Sequence, residues 1–141
     1  LLDAPGGTYW KMLDSFIREE LLTGGMIAAE DQHLYLVTSD YQEAVDEVIE
    51  FFRVYHSMRF VGDQLVLRLK QELTEKQLAE LSSGFSDILK SGDFEQRGPL
   101  DAEENQPELE HLSRLAFHFN RRSHGRLRMM IDQINGRPAR G

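Results

Sequence analysis

The chain has 141 residues, of which 40% are hydrophobic and 28% charged, a balance that suits one ordinary domain or two small ones and excludes disorder as the starting description. It has no cysteine, which excludes disulfides, thiolate zinc sites and cysteine nucleophiles and fits the cytoplasm. The formal charge of −8 is unevenly divided: residues 111–141 carry seven arginines and a single acid, Asp132, so everything before them is strongly acidic. Such a chain is a poor general nucleic-acid binder, and its basic tail is left either to bind an anion or to pair with the acidic remainder.

No apolar run approaches the roughly 20 residues that span a bilayer, and no signal-peptide pattern opens the chain. The chain begins Leu1-Leu2-Asp3, a short apolar strand with nothing before it. That implies a longer natural protein.

Leu1-Leu2 reads as the end of a buried strand, and Pro5-Gly6-Gly7-Thr8 as a turn. A helix follows with Trp10, Leu13, Ile17 and Leu21 on one face, ending at Gly24-Gly25. A short helical turn at residues 28–32 leads to a second strand, Leu34–Thr38. Thr38, Ser39 or Asp40 caps the next helix, whose Ala44, Val45, Val48, Ile49 and Phe52 form its buried side. Strand, helix, strand, helix with short connections predicts two parallel strands with covering helices.

Tyr55–Asp63 breaks this pattern with aromatic, basic and glycine residues and reads as a hinge between modules. The expected organisation is therefore residues 1–61, the end of a Rossmann-like parallel sheet, and residues 62–141, a small α+β module. The second part reads β-α-β-β-α. A strand at Gln64–Leu69 precedes a helix opened by a Thr74/Gln77 capping box, then a short strand at Asp93–Arg97. After the acidic loop Gly98–Pro107 comes a strand with Leu115, Phe117 and Phe119 on one side. Ser123 caps a last helix, closed by Asn135-Gly136. Glu103-Glu104 reads as solvated surface.

Two kinds of candidate site emerge. Gly6, Gly7, Thr8 and Tyr9 lie between a strand and a helix N-terminus, where backbone N–H groups attract phosphate; a plain turn is the competing reading. Arg53, Arg59, Arg121, Arg122 and Arg126 sit in or beside two turns that adjoin helix ends. They serve an anion site or an interface, and inter-module salt bridges are the alternative. The five histidines are scattered, and neither a metal nor another cofactor is expected.

Several of these features, in this order, resemble the end of the LOG family, a Rossmann-like group also described as lysine decarboxylase-like. They are Leu1-Leu2-Asp3, Gly7-Thr8-Tyr9-Trp10, Gly24-Gly25-Met26-Ile27, Glu30-Asp31, Leu34–Thr38 and Asp40…Glu43-Ala44-Val45. Residues 53–61 and 117–122 look like a longer subgroup with an added C-terminal module. The resemblance implies hydrolysis of nucleoside 5'-monophosphates to a free base and ribose 5-phosphate by a homo-oligomer that binds nucleotide or another small anion. It also implies that the family's PGGxGTxxE signature, with its catalytic Glu, and an upstream catalytic Arg precede Leu1. Pro5-Gly6-Gly7-Thr8 looks like that signature, but Tyr9, Trp10 and Lys11 follow it and no Glu stands at the required place. No catalytic residue is carried over, and Gly6, Gly7, Thr8 and Tyr9 are expected only to line a nucleotide pocket. The competing expectation is a non-catalytic ligand-sensing or dimerisation module.

Overall fold

The computed structural model describes residues 1–103 and 105–137. Its first helix, α1 (Tyr9–Phe16), continues through Ile17–Leu22 with wider, π-type hydrogen bonding. The helix ends where Gly25 takes a left-handed φ of 68°. A 3-10 turn at Ala29–Leu34 and an extended stretch lead to α2 (Tyr41–Phe51). Asp40 caps α2 by accepting the N–H groups of Gln42 (2.7 Å) and Glu43 (3.3 Å).

The sheet that follows is antiparallel throughout. Its strands are β1 (Tyr55–Val61), β2 (Gln64–Leu69), β3 (Leu89–Arg97) and β4 (Ser113–Phe119), in the spatial order β1-β2-β4-β3. Helix α3 (Glu75–Gly84) joins β2 to β3, and α4 (His124–Ile134) follows β4. The protein is mixed α/β, but the expected parallel Rossmann-like sheet is not among its described residues. Parallel pairing there is limited to one bridge, Leu2 with Thr38, closed by Asp3 N–H to the Thr38 carbonyl (2.8 Å) and Thr38 N–H to the Leu1 carbonyl (3.1 Å).

Residues Tyr55–Asp63, expected as a hinge, are instead β1 and a tight turn into β2, with Gly62 supplying a φ of 60°. The sheet therefore starts at Tyr55 and not at Gln64. The expected β-α-β-β-α order is present behind this extra strand. Leu65, Leu67 and Leu69 of β2 and Leu115, Phe117 and Phe119 of β4 face α3 and α4, since alternate residues of a strand share a face. Phe94, Leu81, Phe85, Ile88, Leu127, Met130, Ile131 and Ile134 complete this core. Thr74 and Gln77 form the expected capping box (2.9 and 3.2 Å). Ser123 stands at the N-cap of α4 without a side-chain bond to the helix; Asn120 Oδ1 accepts the N–H groups of Arg122 and Ser123 instead.

The first 52 residues differ. They bury only Asp3 and Thr38, both polar. The stripe expected to be the inner side of α2 is exposed: Val48 is 58% and Ile49 61% accessible. This region is tied to the core by the packing of Phe51 on it and by polar and close backbone contacts. Gly125 of α4 lies so near the Glu30 carbonyl that a Cβ there would sit 2.2 Å from it. The Gly125 N–H also reaches Asp31 Oδ1 at 3.3 Å. Arg128 and Arg137 clasp Glu47 of α2 (2.6 Å each) and Asp132 (3.0 and 3.4 Å). Buried Asn135 accepts the Val54 and Tyr55 N–H groups (2.8 and 3.0 Å) and donates to the Phe51 carbonyl (2.7 Å).

Candidate functional site

The turn before α1 is built around Asp3. Its buried carboxylate accepts the N–H groups of Trp10 (3.1 Å) and Lys11 (3.3 Å), two of the donors that open the helix. An anion at this turn meets donors already taken. Gly6 adopts a φ of 76°, and Gly7 packs against Ala4, where a Cβ would come within 2.9 Å of the carbonyl oxygen. Thr8 is exposed, and Tyr9 is 68% accessible. The four residues thus form one accessible turn with an open aromatic ring, adjoining the Leu2–Thr38 bridge.

The five candidate arginines do not converge. Arg53 is exposed and pairs with Glu50 at 3.4 Å. Arg126 grips Asp87 with two nitrogens (2.9 Å each) and lies over the Phe85 ring. That hydrogen bonding holds the Asp87 carboxyl below its ordinary pKa and raises the guanidinium's. Arg121 takes a left-handed φ of 61°, unusual for a residue with a Cβ, and lays its guanidinium 4.3 Å from the centre of the Phe60 ring. Arg122 is exposed. Arg59 alone reaches a buried polar cluster, donating to Gln106 Oε1 at 3.3 Å.

That cluster lies on the sheet face opposite the helices, and its core was not singled out among the sequence candidates. Arg68 of β2 and Arg114 of β4 are directly opposed across the two strands and both are buried. Like charges so placed repel unless something lies between them. Glu103, from the loop expected to be solvated surface, fills that role. Its Oε1 receives Arg68 (2.7 and 2.8 Å) and its Oε2 receives Arg114 Nε (3.1 Å) and the Leu100 N–H (3.2 Å). Burial alone pushes the Glu103 carboxyl up; the hydrogen bonds from Leu100, Arg68 and Arg114 outweigh it, and the net pKa lies below the ordinary value. Glu104 lies outside the described residues. A sequence signal does exist: Arg68 interrupts the apolar run Leu65–Leu69, and Arg114 immediately precedes the run Leu115–Phe117.

Arg114 is the most enclosed member, 0% accessible. Its Nη1 donates to the carbonyls of Leu109 (2.7 Å) and Leu112, while its Nη2 has no partner. The same residue lines a pocket of about 270 Å³ formed by Pro99–Asp101, Glu103, Gln106-Pro107 and Glu110.

A second polar cleft, about 360 Å³, lies between the first helix (Asp14, Arg18) and the 3-10 turn with the stretch that follows it (Ala29 to Val37). In it Tyr35 donates to Asp14 at 2.7 Å, and burial together with that bond pushes the tyrosine pKa up to about 12. Among the described residues no group of three or more His, Cys, Asp or Glu is placed to hold a metal, and no helix is long and apolar enough to cross a membrane. Comparison of the chain with protein-family models, with curated proteins and with solved structures finds no match.

Proposed function

We propose that this chain is the C-terminal part of a LOG-like, nucleotide-binding hydrolase that cleaves the N-glycosidic bond of nucleoside 5'-monophosphates to a free base and ribose 5-phosphate. The observation that carries the reading is the pair of parallel strand ends at Leu2 and Thr38, each leading through a turn into a helix with exposed apolar residues, Met12 and Phe16 on α1 and Val45, Val48 and Ile49 on α2. Further strands of a Rossmann-like sheet are the natural cover for such faces, because a helix with an apolar stripe must bury it against another layer. In parallel sheets ligands bind beyond the carboxyl ends of the strands. Gly6, Gly7, Thr8 and Tyr9 stand at that edge, and Tyr9 offers its ring to a base. The catalytic carboxylate and arginine lie outside residues 1–141 in this reading, and the protein works as a cytoplasmic homo-oligomer.

The test is a hydrolysis assay over a panel of nucleoside monophosphates. The natural protein that contains this chain is expected to release free base, and the 141-residue chain alone is not. Turnover by the chain alone, or silence from the natural protein over the whole panel, rejects the reading. A second reading, residues 62–141 as a ligand-sensing module, is favoured by one observation, the pocket lined by a buried arginine with a free nitrogen.

A further inference from the structure

We infer that the cleft between the first helix and the 3-10 turn binds a neutral polyhydroxylated ring of the sugar class, its hydroxyls shared among Asp14, Arg18 and Gln32. Neither functional reading uses this cleft, and the inference rests on neither.

Several polar groups line this cleft with bonding capacity left over. The side chains of Asp14 and Arg18 are 25% and 54% exposed, so a ligand can touch both. Asp14 takes the Tyr35 hydroxyl on Oδ1 (2.7 Å) and Arg18 Nε on Oδ2 (2.9 Å), and each oxygen keeps a second lone pair. The Nη nitrogens of Arg18 meet no acceptor among the described residues. Gln32 and His33 line the other wall, both half-buried, and their side chains have no hydrogen-bond partner among the described residues. One cleft thus holds an anchored acceptor, an anchored guanidinium and an amide that both donates and accepts. The first helix also widens to π-type bonding over Ile17–Leu22, where Arg18 stands, a rare geometry found frequently at functional sites.

Charge selects among ligands. Burial pushes the Asp14 carboxyl up, but the bonds from Tyr35 and Arg18 outweigh it and hold its pKa below the ordinary value. Burial and the bond to Asp14 push Tyr35 up to about 12, so its hydroxyl stays neutral. Asp14 and Arg18 therefore stand as one ion of each sign, already closed on each other. An anion drawn to Arg18 meets the Asp14 carboxylate beside it, and a cation drawn to Asp14 meets Arg18. A neutral hydroxyl escapes this conflict, because its O–H donates to Asp14 while its oxygen accepts from Arg18. Neighbouring hydroxyls on a ring repeat the pairing, with Gln32 in either role. Ala29, Leu36 and Val37 supply an apolar strip for the C–H side of the ring. The volume of about 360 Å³ lies at the low end of the roughly 300–1,000 Å³ of ligand pockets, which suits a single sugar or a nucleoside.

The experiment uses the full chain, thermal shift and calorimetry at pH 8, above the titration range of an ordinary imidazole. The neutral probes are ribose, xylose, glucose, adenosine and uridine. The charged ones are ribose 5-phosphate, acetate and glycine. At least one neutral probe is expected to bind saturably at about 1 mM or tighter, with every charged probe at least about tenfold weaker. A free sugar that matches its nucleoside shows that ring hydroxyls suffice, and a tighter nucleoside places the base in the cleft as well. Gln32→Ala breaks no bond among the described residues. It should keep the ligand-free melting temperature and weaken neutral-probe binding about tenfold, whereas binding at the Gly6–Tyr9 turn would be unchanged. Asp14→Asn leaves Arg18 without its counter-charge, so ribose 5-phosphate should overtake ribose; if that protein fails to fold, Gln32→Ala decides the matter. Silence from every neutral probe overturns the proposal. So does neutral-probe binding unchanged in Gln32→Ala, or a charged probe that binds the natural chain more tightly than any sugar.

Discussion

Helices α2 and α4 each run eleven residues and each carries an apolar stripe, yet they meet opposite fates. α4 buries Leu127, Met130, Ile131 and Ile134 against the sheet, whereas α2 buries no residue completely. The same contrast separates the regions they belong to. From Val54 onward a continuous core runs through four strands and two helices; before it, the only buried side chains are two that satisfy backbone groups. A helix stripe records which side is apolar, and burial requires a second surface at the right distance. In residues 1–52 the second surface is missing from the described chain. What holds this region in place is a small set of ties: the parallel bridge, the clasp of Glu47 by two arginines, the close approach at Gly125 and the packing of Phe51 on the core.

The comparison is broken most directly by one pair of substitutions. Phe117→Ala empties the centre of the sheet and is expected to cost about 3–5 kcal/mol in urea unfolding. Ile49→Ala removes an exposed side chain from α2 and should stay within about 0.5 kcal/mol. A large loss at Ile49 means that a second copy or another partner covers α2 in solution. Next in size, Gly125→Ala drives a methyl group into the backbone of residues 30–31 and should cost about 1–3 kcal/mol. Its loss should appear as faster hydrogen exchange in residues 28–37 with the sheet amides little changed. Equal acceleration everywhere would show that the two regions unfold as one unit.

The smallest effect is expected in acid. Glu103 has its folded pKa depressed below the ordinary 4.5, so its share of stability is fully present above that value and is lost as the pH falls through the folded pKa. The slope from this single proton is at most about 1.4 kcal/mol per pH unit. Denaturation curves between pH 7 and pH 3 should show it in the natural chain. Glu103→Gln should be less stable at pH 7 and lack that component.

Much of the second region was legible because its signals are local and its partners lie inside the chain. Alternation at Leu115, Phe117 and Phe119, and the reciprocal Thr74/Gln77 cap, need only neighbouring residues to be read. β1 is not legible, because Tyr55–Val61 mixes polar and aromatic residues: it is an edge strand that buries only Tyr55, with an irregular register between Tyr55 and Ser57. The Arg68–Glu103–Arg114 cluster was hidden for a different reason. An acid in a Glu-rich loop looks solvated until the fold sets two arginines from adjacent strands beneath it. The apolar stripe of α2 is plain in its periodicity. Its burial could not be, since periodicity carries no information on what lies opposite.

Asn135 joins three segments, the end of α2, the start of β1 and the end of α4, and it is followed by Gly136. An asparagine before glycine is a chemical clock: the glycine nitrogen attacks the side-chain carbon, ammonia leaves, and hydrolysis yields aspartate or its β-linked isomer. In the folded protein the clock is stopped. The Gly136 N–H is bonded to the Gln133 carbonyl at 2.9 Å, and the carboxamide is pinned by its own three bonds. Each opening of the end of α4 lets the clock advance, and each completed event replaces a donor to Phe51 with a carboxylate that repels that carbonyl. Age is thereby written irreversibly into the joint between the two regions, and the fraction deamidated in an old sample records the share of its time that the joint has spent open.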